Sequence, residues 1–139
     1  MEKVIILLAN GFEEIEALAP LDILRRLNYE VELVSMNESL DVKSSHNVNF
    51  VADKQFYDEC YDAVGVIIPG GMPGATNLRD DIRVIDLIKK FNQEKKIAII
   101  LSELSQIEDK STDKQIAEIL DDVKQKLNYA KSVNTDNKY

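Results

Sequence analysis

Two stretches of this 139-residue chain carry residues whose types and spacing suit chemistry. The first is Asn10-Gly11-Phe12-Glu13-Glu14-Ile15-Glu16, three carboxylates within four positions, directly after the apolar run Val4 to Ala9. Acids in the first turn of a helix complement its dipole, and that is the reading for Glu13 and Glu14. Glu16 differs if its side chain points inward, where desolvation raises a carboxyl pKa and equips it to donate a proton. The second stretch is Pro69-Gly70-Gly71-Met72-Pro73-Gly74-Ala75-Thr76-Asn77-Leu78. Adjacent glycines let backbone N–H groups approach a ligand, as in an oxyanion hole or an anion-binding nest. The spacing is neither G-x-G-x-x-G nor a Walker A loop, so no dinucleotide or ATP site follows.

The other reactive side chains are few. Cys60 is the single cysteine and His46 the single histidine. Cys60 precedes Tyr61-Asp62 and a strand starting at Ala63, which puts it at the amino end of that strand, on the wrong sheet edge for Glu16 and Gly71. His46, in Ser44-Ser45-His46-Asn47, reads as a turn residue. No metal-ligand spacing of the usual kinds is present. Glu13, Glu14 and Asp22 read as surface charge with at most loose cation contact, and no cofactor is expected.

The elements that must position these residues alternate short β-branched runs with helical patterns, the signature of a parallel sheet covered by helices. Lys3 to Ala9 is a strand whose run is unbroken and apolar from Val4 on, as in a strand buried on both faces. Glu13 to Asn28 has Ile15, Leu18, Leu24 and Leu27 at helical spacing, with Pro20 implying a kink or a late start. Glu30 to Met36 is the second expected strand, Val48 to Ala52 a third, Ala63 to Ile68 a fourth and Lys96 to Leu101 a fifth. Asp80 or Asp81 caps a helix with an apolar face of Val84, Leu87, Ile88 and Phe91. In such a sheet the site forms outside the carboxyl ends of the strands, where both chemically suited stretches fall.

Taken together, Val4 to Ala9, Gly11-Phe12-Glu13-Glu14-Ile15-Glu16-Ala17, Leu21-Asp22-Ile23-Leu24-Arg25-Arg26, Tyr61-Asp62-Ala63, Ile68-Pro69-Gly70-Gly71-Met72-Pro73-Gly74-Ala75 and Asn77-Leu78-Arg79 resemble the DJ-1/PfpI family of the class I glutamine amidotransferase-like superfamily. The resemblance runs in order over about residues 1–100. It implies an α/β, flavodoxin-like three-layer sandwich with a mostly parallel sheet, here truncated and followed by a C-terminal helix, and a homodimer. It also implies a small carbonyl substrate for a cysteine-dependent glyoxalase, deglycase or hydrolase. In that family a protonated glutamate, matching Glu16, hydrogen-bonds a reactive cysteine, and a glycine pair matching Gly70 and Gly71 supplies oxyanion donors. The cysteine follows the strand that here is Ile97-Ala98-Ile99-Ile100, and the residue in its place is Leu101. Leucine has no nucleophilic atom, so the covalent step has no carrier. Ser102 beside it has no histidine in register and no glycine to permit a nucleophile elbow.

Residues 102–139 do not resemble the family. They contain no glycine or proline, and all eight such residues lie in the first 74 positions. Thr112-Asp113-Lys114-Gln115 is a capping-box pattern opening a helix over about 112–131, with Ile116, Ile119, Leu120, Val123 and Leu127 on one stripe. The chain thus reads as an α/β domain over 1–101 and a helical tail over 102–139. Net charge is -8, which repels phosphate backbones and anionic membranes, so neither nucleic acid nor a membrane is an expected partner. The lone cysteine and the short apolar N-terminal run point to a cytoplasmic setting. The reading that follows is an inactive family scaffold. The alternatives are an active small glyoxalase or hydrolase rebuilt around Glu16, Gly70-Gly71 and Ser102, and a homo-oligomeric interaction module.

Overall fold

The structure, a computed structural model, describes residues 2–101; the expected helix at 112–131 and Ser102 lie outside them. The central strand is β1 (Lys3–Leu8), and its neighbours are β2 (Glu30–Ser35) on one side and β6 (Gly65–Ile68) on the other. All pairings of the five-stranded sheet are parallel, in the order β5-β2-β1-β6-β7, with β5 (Lys54–Gln55) and β7 (Ile97–Ile100) flanking. A parallel sheet is covered on both faces, and β1 shows why its run has no polar member after Lys3: Ile5, Ile6, Leu7 and Leu8 are fully buried.

Side chains alternate between faces with a period of two. Ile5 and Leu7 join Val66, Ile68, Leu78, Val84, Leu87 and Phe91 in one core cluster, the face covered by α2 (Gly74–Arg79) and α3 (Ile82–Gln93). The opposite face is taken by α1 (Glu14–Arg26), which packs on β1 and β2 and buries Ala17, Pro20 and Leu24. The result is a three-layer α/β sandwich, the expected fold class.

Several expectations are adjusted. The helix runs through Pro20 without a late start: the missing N–H and the ring's crowding of the Glu16 carbonyl are tolerated in a helix whose Pro20 is itself buried against the sheet with Ala17 and Leu24. The run at Val48–Ala52 is not a member of the main sheet. Its core, β4 (Asn49–Val51), pairs antiparallel with β3 (Asp41–Lys43) in a separate two-stranded ribbon, where Phe50 meets Phe12 edge to face at 5.1 Å. The fifth strand of the main sheet is the two-residue β5, too short to carry a pattern. Asp81 rather than Asp80 caps α3, accepting the Arg83 N–H at 2.9 Å. Helix α2 escapes sequence reading because its six residues include glycine and show no apolar period.

Candidate functional site

Because β1, β6 and β7 are parallel, their carboxyl ends lie on one edge. Three segments emerge there: Ala9 to Glu13 after β1, Pro69 to Pro73 after β6, and Leu101 after β7. The first two cross in backbone contact. Glu13 N–H donates to the Gly70 carbonyl at 2.8 Å. Gly71 has φ +93°, a conformation glycine adopts freely, and a Cβ there would lie 2.6 Å from Glu13 N and from the Gly11 carbonyl oxygen. A Cβ on Gly74 would lie 2.6 Å from Phe12 N, and one on Gly11 would collide with Pro73. Asn77 Nδ2 donates to the Asn10 carbonyl at 3.0 Å, adding a further link. The glycines of the two stretches therefore serve first to let these loops touch.

That contact sets the position of Glu16. Standing in the first turn of α1, it is 7% exposed, and its Oε1 accepts the Gly70 N–H at 2.7 Å. Burial is the main cause that pushes its carboxyl pKa up to about 7; the Gly70 hydrogen bond works against that and the charge of Glu13 adds to it. A carboxyl with this affinity for a proton carries it near neutral pH and can donate it. Glu16 does point inward, the condition on which its reading as a proton donor depends. The glycine pair is adjusted: the Gly70 amide is engaged by Glu16, leaving Gly71 as the member whose amide is not committed to that carboxyl.

Leu101 is 3% exposed, and its N–H donates to the Ile68 carbonyl at 2.9 Å, continuing the β7 register past the strand's end. An isobutyl group thus occupies the carboxyl end of β7. Cys60 is fully buried in a short 3-10 turn (Asp58–Asp62) ahead of β6, and burial pushes its thiol pKa up. It sits at the amino end of the strand, as its sequence position indicates, and a raised thiol pKa is the opposite of activation. An apolar groove of about 470 Å³, lined by residues including Ile68, Met72, Leu78, Ile88 and Ile100, opens beside β6 and β7, and Glu16 does not line it.

The sequence pairs Glu13 with Glu14 and leaves His46 apart as a turn residue, and the structure brings the three together. The turn after β3 is held to the β1–α1 loop: Gly11 N–H donates to the Lys43 carbonyl and Ser45 N–H to the Phe12 carbonyl, each at 2.8 Å. This places the His46 Nδ1 2.8 Å from Glu14 Oε2 and 3.9 Å from Glu13 Oε2. His46 is therefore an exposed loop residue with two carboxylate partners, and its hydrogen bond to Glu14 is the chief cause that raises its pKa. Burial pushes Glu14 up, but hydrogen bonds from Ser44 and His46 outweigh it and hold the carboxyl well below the usual range. Burial, then the adjacent Glu14 carboxyl, raises Glu13. A separation of 32 residues between Glu14 and His46 leaves no spacing signal in the sequence. Among the described residues, no helix is long and apolar enough to cross a membrane.

Comparison with known proteins gives a family-model match, DJ-1/PfpI family, over residues 2–103. Protein DJ-1 homolog B of Arabidopsis thaliana is 32% identical over 98 residues, which are 68% of this chain and 22% of that protein. The glutathione-independent glyoxalase DJ-1 of Schizosaccharomyces pombe is 33% identical over 101 residues, 66% of this chain and 52% of its own length. Among solved structures, a DJ-1 superfamily protein from Salmonella typhimurium, determined as a cysteine-to-alanine mutant, is 39% identical with a TM-score of 0.67, covering 72% of this chain and 55% of that one. Oxidized Toxoplasma gondii DJ-1 is 32% identical at the same TM-score and coverage. The chain spans from about a fifth to about half of these relatives.

Proposed function

The chain belongs to the DJ-1/PfpI family, and from that premise we propose that it is a family scaffold without the family's nucleophile, catalytically silent toward the small carbonyl compounds that glyoxalase- and deglycase-type relatives transform. The observation that carries this reading is Leu101, a buried apolar side chain directly after β7, at the position where the resemblance places the cysteine. In this reading Glu16 is the acid, and Gly71 is the member of the glycine pair whose amide Glu16 does not engage. These groups stabilise charge that a nucleophile creates; alone they provide no atom to form the covalent bond. Cys60 is no substitute, being buried at the other end of β6.

The same reading makes the protein a cytoplasmic homodimer with no nucleic-acid or membrane partner. Supporting a homodimer, α1 and the β3–β4 ribbon, joined through Glu14 and His46, expose the apolar side chains Ile15, Leu18, Val48 and Val51. The deciding experiment incubates the full chain with methylglyoxal and follows lactate. The expected result is no turnover above buffer. Turnover that Glu16→Ala abolishes and Cys60→Ser leaves intact overturns the proposal and points to a rebuilt site.

A further inference from the structure

We propose that the groove between α2, α3 and the end of β7 binds a medium-chain aliphatic monocarboxylate, with its alkyl chain inside and its carboxylate at Lys89. Ile100 pairs in register with Ile68, so the two side chains point to the same face of the sheet. On that face Ile68 joins the core beneath α2 and α3. Ile68 is 4% exposed there, whereas Ile100 is 52% exposed. A parallel sheet is covered on both faces, and α2 and α3 leave that cover incomplete over the last residue of β7. The opening is the groove of about 470 Å³, walled by Leu78 of α2 and Ile88 of α3, with the exposed Met72 beside them. Pockets that hold small molecules run from about 300 to 1,000 Å³ and combine an apolar lining with a few polar groups, as this one does.

The lining selects the occupant. It holds no aromatic ring to stack on a planar ligand, and its branched aliphatic side chains and flexible methionine suit an alkyl chain. Its charged members are Arg79 and Lys89, and no carboxylate lines it. Arg79 pairs with Asp80 at 3.1 Å, whereas Lys89 forms no ion pair among the described residues. The groove therefore offers one uncompensated positive charge in a chain of net charge -8. A carboxylate matches that single charge, a phosphate monoester brings nearly two, and an alcohol leaves the ammonium unpaired. Helix α1 covers the opposite face of the sheet, so an occupied groove is compatible with a homodimer formed through α1.

The full chain, labelled at its isoleucine methyl groups, is titrated at neutral pH with hexanoate, octanoate and decanoate below their micelle thresholds, with NMR and calorimetry as readouts. The Ile88 and Ile100 methyl signals are expected to shift and saturate at one ligand per chain. Affinity is expected to rise roughly four-fold per added methylene. 1-Octanol is expected to bind roughly three-fold more weakly than octanoate, and Lys89→Met to abolish that preference while leaving 1-octanol binding unchanged. Ile88→Glu is expected to weaken octanoate roughly ten-fold or more, and Ile82→Glu, on α3 outside the groove and 67% exposed, to leave it unchanged. Methyl signals unmoved by decanoate, equal affinities along the series, or a carboxylate preference that survives Lys89→Met overturns the proposal. Ile88→Glu turning a dimer into a monomer in sedimentation assigns the groove to a second copy of the chain and also overturns it. Lys89 is exposed, so its variant stays decisive even if Ile88→Glu fails to fold. Turnover of methylglyoxal has no part in these readouts, so this proposal and catalytic silence fail separately.

Discussion

Replacing Glu16 by glutamine tests the buried acid without touching its anchor, because a glutamine Oε1 can accept the Gly70 N–H as Glu16 Oε1 does at 2.7 Å. Burial pushes this carboxyl up to about 7 in the folded chain, against 4.5 for an unburied glutamate. Each tenfold change in proton affinity is worth about 1.4 kcal/mol, so the displacement amounts to about 3 kcal/mol. Its sign follows from which state ionises first. Below pH 4.5 both states hold the proton and Glu16 costs nothing. Between 4.5 and 7 the unfolded chain releases it while the folded chain keeps it, so stability from this group is lost as pH rises. Above 7 the full cost is present. Urea unfolding of the native chain and Glu16→Gln, run in steps from pH 5 to 8.5, isolates the term, because other titrating groups cancel in the difference. The variant is expected to gain on the native chain with pH, by about 3 kcal/mol at the alkaline end and far less at pH 5. A difference that is flat with pH, or a variant less stable at pH 8, refutes the assignment of Glu16 as a carboxyl protonated by burial.

Three further outcomes follow from the packing. Gly71→Ala combines positive φ with backbone contacts at 2.6 Å and is expected to cost about 3 kcal/mol in chemical denaturation. Gly65→Ala, whose nearest new contact is 3.6 Å, is expected to remain within about 1 kcal/mol of the native chain, and equal losses at both positions refute the crossing-loop account. Asp81→Ala removes the cap that accepts Arg83 N–H and is expected to cost about 1 kcal/mol, read as a lowered melting midpoint. Leu87→Ala empties a fully buried position under α3, with an expected loss of about 3 kcal/mol by urea titration.

What the sequence discloses and what it hides divide along physical lines. Strand β1 is legible because a strand buried on both faces has no polar position to confuse the pattern. Helix α3 is legible because Val84, Leu87 and Phe91 repeat at helical spacing above a capping aspartate. Glu16 is legible as a candidate because an acid just inside a helix after a buried strand falls at the sheet's carboxyl edge. The β3–β4 ribbon is not, since Asp41–Lys43 buries only Val42 and three residues make no period. The His46 partnership is hidden for another reason: it depends on backbone bonds between Phe12 and Ser45, and no local pattern encodes a contact so distant in the chain. The engagement of the Gly70 amide by Glu16 is hidden likewise, since a glycine pair looks the same whether its amides face a ligand or a neighbouring carboxyl.

The glycine crossing also bears on which parts of such a constellation depend on one another. Gly11, Gly71 and Gly74 are required by backbone packing between two loops, and the same packing holds Glu16 against the Gly70 amide. A chain that merely folds must therefore keep the glycine crossing and an acceptor for the Gly70 amide, whereas the carboxyl of Glu16, whose ionisation costs stability, is not demanded by packing. Leu101 lies outside that crossing, on β7, and a change at its position leaves the interlocked loops as they are. The end of β7 and the glycine crossing are thus separable parts of this architecture: the residue that follows β7 can differ while the two loops stay interlocked.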